Sequence, residues 1–293
     1  ELTVWVVITV TFFATRAVPG GPFASEKAIT PAAKAALEAK YGLDKPVLEQ
    51  YTTYLKDIVP HFDFCPSLKQ RGRQVIDVIT DGLKTSAKLG VIAAFASLIC
   101  GVVLGAIAAL RRNKVIDRVI MVITTAFVSM PSFIMGSLML VAFSIKLAIL
   151  PANGSTTEGL ILPVITLALY PTAYITRLTR SSMLDVLGQD YIRTAKAKGV
   201  PGKRIIFGHA LKNSLIPVIT YFGPMLAYIV TGSLVVEQIF AVPGIGRAFV
   251  NSIINRDYPL IMGTTIVLAA LIVIMNLVGD ILYKVVDPRI NLE

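Results

Sequence analysis

The sequence predicts an all-α membrane protein with six transmembrane helices. Of its 293 residues, 55% are hydrophobic and 16% are charged, and the mean hydropathy is +0.71. Soluble domains carry about 45–50% apolar and about 25% charged residues, so the excess apolar surface must face something other than water. The apolar residues also fall in runs that match a bilayer core, which needs roughly 20 residues per helix. Helices are expected because an open strand in lipid leaves its backbone polar groups unpaired.

Six apolar runs define the predicted spans of a single membrane domain, 1–293. They are 2–18, 86–110, 117–145, 160–177, 214–236 and 259–283. The first run starts without a basic flank, so we expect the natural N-terminus to be longer or disordered. A signal-peptide core is the alternative for this run, but it lacks an A-x-A-like cleavage site and leads into Pro-Gly.

Lys and Arg are unevenly distributed among the loops. Loop 111–118 has four basic residues against one acid, and loop 177–213 has eight against two, whereas 146–159 and 237–258 are close to neutral. Positively charged short loops stay on the cytoplasmic side. Both termini are therefore predicted to be cytoplasmic, with 19–85 outside. This topology also explains the net charge of +10, so nucleic-acid binding is not needed to account for it.

Residues 19–85 form the stretch with most soluble character, and three short helices are predicted in it. Thr30-Pro31 reads as the start of a helix that ends near Gly42. A second helix is predicted at 46–58, ending before Pro60, and an amphipathic third at 74–83. Because so short a segment cannot build much core of its own, we expect it to pack on the outer mouth of the bundle.

Motifs for chemistry are missing from the sequence. It has no CxxC, HExxH, metal-ligand cluster or GxxxxGK[ST] phosphate loop, so no metal, ATP or other cofactor is expected on this chain. Spans two, three and five lack carboxylates or histidines in their deep parts, where catalytic groups of an intramembrane enzyme would lie. We therefore predict that the chain is not an enzyme.

A secondary transporter is the stronger competing interpretation. Such carriers usually place ionisable residues near the midplane and contain internal repeats. Here Arg16 and Asp280 lie near the ends of their spans, where they fit interfacial anchoring, and no repeat is detectable. Six spans are also few for a self-sufficient carrier, which favours a half-channel that needs a partner.

Glycines and prolines indicate how the spans are shaped. Gly101 and Gly105 form a GxxxG pattern, typical of close helix packing in membranes. Pro131, Pro171 and Pro224 can kink their helices. The kinks serve shape alone or, in a sharper interpretation, line a transport pathway. The polar and aromatic residues predicted for that lining are Ser129, Met130, Phe133, Tyr170 and Thr172.

The basic segment 190–217 lies between two apolar runs and is compatible with a helix. A short amphipathic helix between spans can give a cytoplasmic partner a rigid handle. A helix of about a dozen residues is predicted between Gly188 and Gly199, with small Ala195 and Ala197 for close approach. Its charges would set partner choice, Asp190 and Arg193 among them. The alternative is a helix lying on anionic lipid.

Short landmarks are spread along nearly the whole chain. They are 16–23 (RAVPGGPF), 40–46 (KYGLDKP), 179–187 (TRSSMLDVL), 193–199 (RTAKAKG), 209–212 (HALK), 237–240 (EQIF), 243–246 (PGIG), 255–258 (NRDY) and 287–290 (DPRI). Together they resemble the permease subunits of oligopeptide importers in the ATP-binding-cassette superfamily. Arg193-Thr194-Ala195 stands where the general importer loop has Glu-Ala-Ala, and Leu211-Lys212 where it has Leu-Pro. Peptide-type permeases share both departures.

The resemblance implies the type I importer permease fold, with 178–213 as the loop whose coupling helix docks on an ATPase. It implies a bacterial cytoplasmic membrane protein that works with a homologous second permease, two ATPase subunits that hold ATP and Mg, and an extracytoplasmic peptide-binding protein. The cargo would be oligopeptides. Related permeases carry dipeptides and nickel or other metal chelates, so the cargo stays open.

The outer loop 237–258 has two interpretations. Pro-Gly chemistry at Pro243 and Gly244 fits a plain hairpin-like return of the chain. Under the resemblance, the loop and the 19–85 segment would form the landing surface for the binding protein, with Asn251 and Asn255 as contact residues.

Overall fold

The fold of the computed structural model is all-helical in the residues that it describes, which are 2–19, 21–23, 32, 35, 38–39, 42–61, 64–70 and 72–286. Most of the predicted helix from Thr30 to Gly42 lies outside these residues, as does the landmark 287–290. The helices are α1 (Leu2–Ala17), α2 (Val47–His61), α3 (Val75–Leu110), α4 (Val115–Ser129), α5 (Ser132–Met139), α6 (Ile161–Leu187), α7 (Asp190–Ala197), α8 (Gly202–Ser214), α9 (Ile216–Val230), α10 (Leu234–Ile239), α11 (Ile245–Ile254) and α12 (Tyr258–Val286).

Several described helices are long and apolar enough to cross a membrane. Three of them are continuous helices, and they lie within Val75–Leu110, Glu158–Leu187 and Tyr258–Gly279. Two bent pairs, Val115–Ser129 with Ser132–Lys146 and Gly202–Ser214 with Ile216–Val230, raise the number to five. α1 is apolar but shorter, with 16 residues.

Two predicted boundaries differ from the structure because no breaker lies where an end was expected. The predicted outer helix 74–83 and the span 86–110 are one continuous helix, α3. The fourth span was predicted to end at 177, yet α6 continues to Leu187 and ends only before Gly188. α2 extends to His61, beyond its predicted end at 58, and its last turn contains Pro60.

Two other predicted spans are interrupted. The run 117–145 breaks at Met130, and its two halves meet at 108°. Met130 is extended (φ −91°, ψ 128°) because the following Pro131 disfavours the helical conformation in the residue before it. The run 214–236 ends at Val230, and a new short helix, α10, begins after Ser233, whose side chain accepts a hydrogen bond from the Val236 amide.

The chain divides into two compact units. The first comprises Glu1–Lys84 and Gly244–Leu271, and the second Thr85–Pro243 and Ile272–Glu293. The core of the first unit is apolar and aromatic and includes the fully buried Phe12 and Ile79.

The second unit has three smaller apolar clusters instead of one core. They centre on Leu162 with Phe240, on Ile175 with Val218, and on Met183 with Ala210. α6 takes part in all three, so it is the central helix of this unit. The third cluster lies where α6 leads into the segment that the sequence singles out.

Candidate docking helix

α7 follows the central helix α6 after a two-residue turn. Gly188 caps α6, with its amide donating to the carbonyls of Leu184 and Asp185 at 3.2 Å each. Gln189 is extended (φ −72°, ψ 151°) and forms the N-cap of α7. The carboxylate of Asp190 in the first turn suits the positive end of the helix. Gly188 therefore marks the start of the predicted docking helix.

The end of α7 is a Schellman cap. The Gly199 amide donates to the Lys196 carbonyl at 3.0 Å, and the Val200 amide donates to the Ala195 carbonyl at 3.1 Å. This pair of bonds requires a left-handed residue, and Gly199 has φ +75°. The two glycines thus bracket the helix as predicted, but it has eight residues instead of about a dozen. The other two residues between the glycines, Gln189 and Lys198, are the N-cap and C-cap of the helix.

One side chain of α7 anchors it. Ile192 is fully buried, and α7 contacts the π-helical middle of α8, Ile205–Leu211. A second tie comes from the Asn213 amide, which donates to the Tyr191 hydroxyl at 3.0 Å. The helix therefore has a fixed position on the second unit while its other side faces outward.

The outward side of α7 carries charge and small residues. Asp190 and Arg193 form an ion pair of 3.4 Å, but their side chains are 94% and 76% exposed, so this pair contributes little to stability. Lys196, Ala197 and Lys198 are exposed, and Ala195 is partly buried. A partner would thus meet a flat surface with net positive charge.

A buried ion pair joins α4 to α6 near the start of this segment. Arg180 donates from Nε to Asp117 Oδ1 at 2.6 Å and from Nη2 to Oδ2 at 2.8 Å. The backbone amide of Asn113 donates a third hydrogen bond, to Asp117 Oδ2, at 2.9 Å. The Asp117 side chain is only 3% exposed. Sequence reasoning missed this pair, although Asp117 is the lone acid of a basic loop and Arg180 lies within the landmark 179–187.

The residues predicted to line a pathway fall into separate places. Ser129, Met130 and Phe133 are exposed at the bend between α4 and α5. Tyr170 and Thr172 are both on α6, but two positions along a helix point about 200° apart, so they lie on different faces. The structure does not bring these two side chains together.

An aromatic stripe that the sequence did not single out accompanies Tyr170. Tyr174 is one turn further along α6, and Arg177 lies one turn beyond it, all on one face. Tyr174 stacks on Tyr221 of α9 with ring centroids 4.2 Å apart. Spacing of four residues on a long helix was the available signal, but the partner on α9 was not visible in the sequence.

The outer-loop residues are spread over two elements. Pro243 is exposed, whereas Gly244 is buried as the N-cap of α11. Gly244 and Ile245 lie against Gly82, where an added β-carbon would be 2.9 Å from the Ile245 nitrogen. Asn255 is exposed at the C-cap of α11, and Asn251 is partly buried. A short helix, α11, therefore takes the place of the plain return, and the buried Gly244 is its N-cap.

Among the described residues, no group of three or more His, Cys, Asp or Glu side chains could hold a metal ion. The first unit contains a cavity lined in part by Arg16 and Tyr54, and none of its lining residues belongs to α7.

The sequence matches known membrane transport proteins. Residues 101–292 match the family described as the inner membrane component of binding-protein-dependent transport systems. The chain belongs to this family. It is 46% identical to the dipeptide transport system permease protein of Bacillus subtilis, covering 99% of this chain and 94% of the relative. It is 44% identical to the oligopeptide transport system permease protein of Salmonella typhimurium, covering 99% and 95%.

The fold has a solved counterpart. An inward-facing structure of the MetNI methionine ABC transporter superposes with a TM-score of 0.56, covering 72% of this chain and 97% of that one. At 16% identity this likeness concerns the fold alone. The matched family segment begins at Gly101 and so includes α6, the docking helix and the buried ion pair.

Proposed function

We propose that this chain is a transmembrane subunit of an ATP-driven importer that moves oligopeptides across the bacterial cytoplasmic membrane. The observation that carries the proposal is α7, a rigidly capped helix that presents cations between two membrane helices. The relatives named as oligopeptide and dipeptide permeases support the cargo class. A dipeptide is the second candidate cargo because the relative at 46% identity is named for it.

The proposal includes an assembly and a topology. A homologous second permease would form the other half of the pathway, and two ATPase subunits would hold ATP and Mg. A peptide-binding protein would deliver cargo from outside, at the 19–85 segment and the 237–258 loop. Six spans, with both termini cytoplasmic, place α7 on the ATPase side, as the basic loops favour.

The coupling step follows from how α7 is held. Its ends are closed by caps and Ile192 is buried, so a push on its exposed side moves the helix as a body. The displacement passes directly into α6 through Gly188 and into α8 through the packing against Ile205–Leu211. Acidic groups on the ATPase would meet Arg193, Lys196 and Lys198, which set the register of docking.

The Gly199 cap tests this role. An added β-carbon at Gly199 meets nothing within 4 Å, so a substitution acts through the φ of +75° and not through crowding inside the chain. Gly199→Val should abolish peptide-stimulated ATP hydrolysis because a β-branched residue resists this conformation. Gly199→Asn is the matched control, since Asn tolerates it, and should retain most of the activity.

A second substitution separates docking from cap integrity. Ala197→Trp leaves the cap bonds in place but adds bulk to the exposed side of α7. We expect the purified complex to lose ATPase stimulation while the chain still inserts into the membrane. Normal hydrolysis and transport with both Gly199→Val and Ala197→Trp would show that α7 is not the coupling element.

Uptake assays distinguish the two cargo classes. Cells that depend on this transporter should take up labelled peptides of four or five residues, and an excess of dipeptide should compete poorly. Efficient competition by dipeptides alone would assign the chain to dipeptide import and leave the coupling role intact.

A further inference from the structure

The cavity in the first unit is lined by two cations and otherwise by neutral, mostly apolar residues. Its volume is about 190 Å³, which suits one functional group and is too small for a peptide. One cation, Arg16, lines its inner part, and Lys45 lies at its exposed side. The remaining lining residues are Gly42, Leu43, Gln50, Thr53, Tyr54, Phe64, Cys65, Leu68, Tyr258, Pro259 and Met262.

Neutral groups of the described part of the chain hold Arg16 in place. Its Nε donates to Gln50 Oε1 at 3.0 Å, and its Nη1 makes longer bonds to Thr15 Oγ1 and the Phe12 carbonyl. The guanidinium carbon lies 3.5 Å from the centre of the Phe12 ring. In the part of the chain that the structure describes, no carboxylate forms an ion pair with it. A partly buried cation carries a desolvation cost, which a bound anion would offset beyond what its neutral neighbours supply.

Tyr54 supplies a second unsatisfied group to the same cavity. Its hydroxyl is buried and has no hydrogen-bond partner among the described residues. Burial raises the pKa of Tyr54, so the phenol keeps its proton and can donate it. Buried hydroxyls are nearly always hydrogen-bonded, so one that lines a cavity together with the Arg16 guanidinium favours an acceptor bound in that cavity.

We propose that this cavity binds an oxyanion, a carboxylate or a phosphate group, between the Arg16 guanidinium and the Tyr54 hydroxyl. The guanidinium offers Nη2, which makes no hydrogen bond within the described part of the chain, and the phenol offers its O–H. The Phe12 and Tyr258 rings flank the guanidinium, which keeps it oriented towards the cavity. Charge-assisted donors of this kind bind oxyanions more strongly than neutral donors.

The anion can come from two sources. α1 is a membrane helix in the proposed topology and Arg16 lies in its last turn, at the depth where phospholipid headgroups lie. A free carboxylate, such as a peptide C-terminus, offers the same oxygen atoms from the aqueous side. The inference itself stands apart from the import proposal, because it requires only an anion in the cavity.

Three variants of the full-length chain, purified in its complex in nanodiscs, provide the test. Arg16→Gln removes the charge, and Tyr54→Phe removes only the hydroxyl and keeps the ring. Arg73→Gln is the matched control in the same unit, since Arg73 pairs at 3.0 Å with the exposed Asp81 and does not line the cavity.

Two probes separate the sources. Native mass spectrometry measures retained phosphatidylglycerol against phosphatidylcholine, and thermal shift compares trialanine with trialanine amide. We expect Arg16→Gln to weaken binding of one probe by about tenfold or more, and Tyr54→Phe by about threefold. Arg73→Gln should match the wild type.

Each result either identifies the source of the anion or overturns the proposal. A change confined to phosphatidylglycerol assigns the site to lipid phosphate, and a change confined to trialanine assigns it to a carboxylate. If Arg16→Gln does not assemble, Tyr54→Phe alone decides, since it removes one oxygen atom. Wild-type affinity for both probes in Tyr54→Phe, or equal changes in Arg73→Gln, would overturn the proposal.

Discussion

A buried carboxylate has different partners in the two compact units of this chain. In the first unit, Asp257 binds the backbone of an irregular loop. In the second, Asp117 forms an ion pair that joins two helices. Close contacts at glycines and aromatic pairs occur in both units. Unlike the second, the first unit includes much of the outer segment with soluble character.

Asp257 shows how the first unit uses polar contacts. Its carboxylate accepts hydrogen bonds from the Ser67 hydroxyl, from the Leu68 amide at 3.1 Å and from the Lys69 amide at 3.4 Å. It is only 1% exposed. An irregular loop has backbone donors that no helix satisfies, so a buried carboxylate takes that role.

Gly101 and Gly105 show how the second unit packs, and they confirm the predicted close-packing face. A β-carbon on Gly101 would lie 2.7 Å from Ile175, and one on Gly105 would lie 2.6 Å from the Thr176 carbonyl oxygen. Between helices in lipid there is little hydrophobic driving force, so stability comes from close van der Waals contact.

The largest expected effect is at the glycine contact. Gly105→Val should destabilise the second unit by about 3 kcal/mol, the upper end of overpacking, because backbone and not a flexible side chain blocks the added atoms. Heating in detergent followed by size-exclusion chromatography measures the loss. Gly208→Ala is the control, since its nearest neighbour is 3.8 Å away, and equal loss in both variants would argue against close packing.

The ion pair is expected to have the next largest effect. Asp117→Asn should cost about 2 kcal/mol because it leaves the Arg180 guanidinium with a neutral partner in a mostly buried site. A double-mutant cycle with Arg180→Gln should give a coupling free energy of about 1 kcal/mol or more. The same cycle at the exposed pair Asp190 and Arg193 should give less than about 0.5 kcal/mol. Comparable coupling in the two cycles would remove the distinction between these pairs.

The polar contact in the first unit is expected to have the smallest effect. Asp257→Asn keeps one acceptor oxygen and loses the other, so it should cost about 1 kcal/mol. Hydrogen–deuterium exchange should rise in the peptide that covers 64–70 and stay unchanged around Gly105. Asp81→Asn, at an exposed side chain, is the control and should leave exchange in 64–70 as in the wild type. Unchanged exchange with Asp257→Asn would mean that the conformation of residues 64–70 does not depend on the Asp257 carboxylate.

Much of α7 and its caps was predictable from local sequence. Gly188 and Gly199 end helices through bonds within a few residues, so their positions predicted α7 before any packing was known. The length of α7 was overestimated because the caps themselves occupy part of the interval. The anchoring by Ile192 was not predicted, since burial depends on α8, which folds back from later in the chain.

The interruptions of the spans were only partly predictable. Pro131 was recognised as a kink, yet the 108° bend depends on how α4 and α5 both pack against α6. Tyr174 and Tyr221 are 47 positions apart, and Asp117 and Arg180 are 63 apart. No local pattern connects residues at such separations.

The sequence by itself determined that this is a helical membrane protein, where its long apolar helices lie, and which glycines end or pack helices. These features depend on the solvent that surrounds each run and on backbone preferences over a few residues, which every run carries with it. Only the tertiary structure decided which helix faces meet, that Asp117 binds Arg180, and that Arg16 and Tyr54 share a cavity. Those results depend on the simultaneous packing of distant segments, whose free energy no single segment contains.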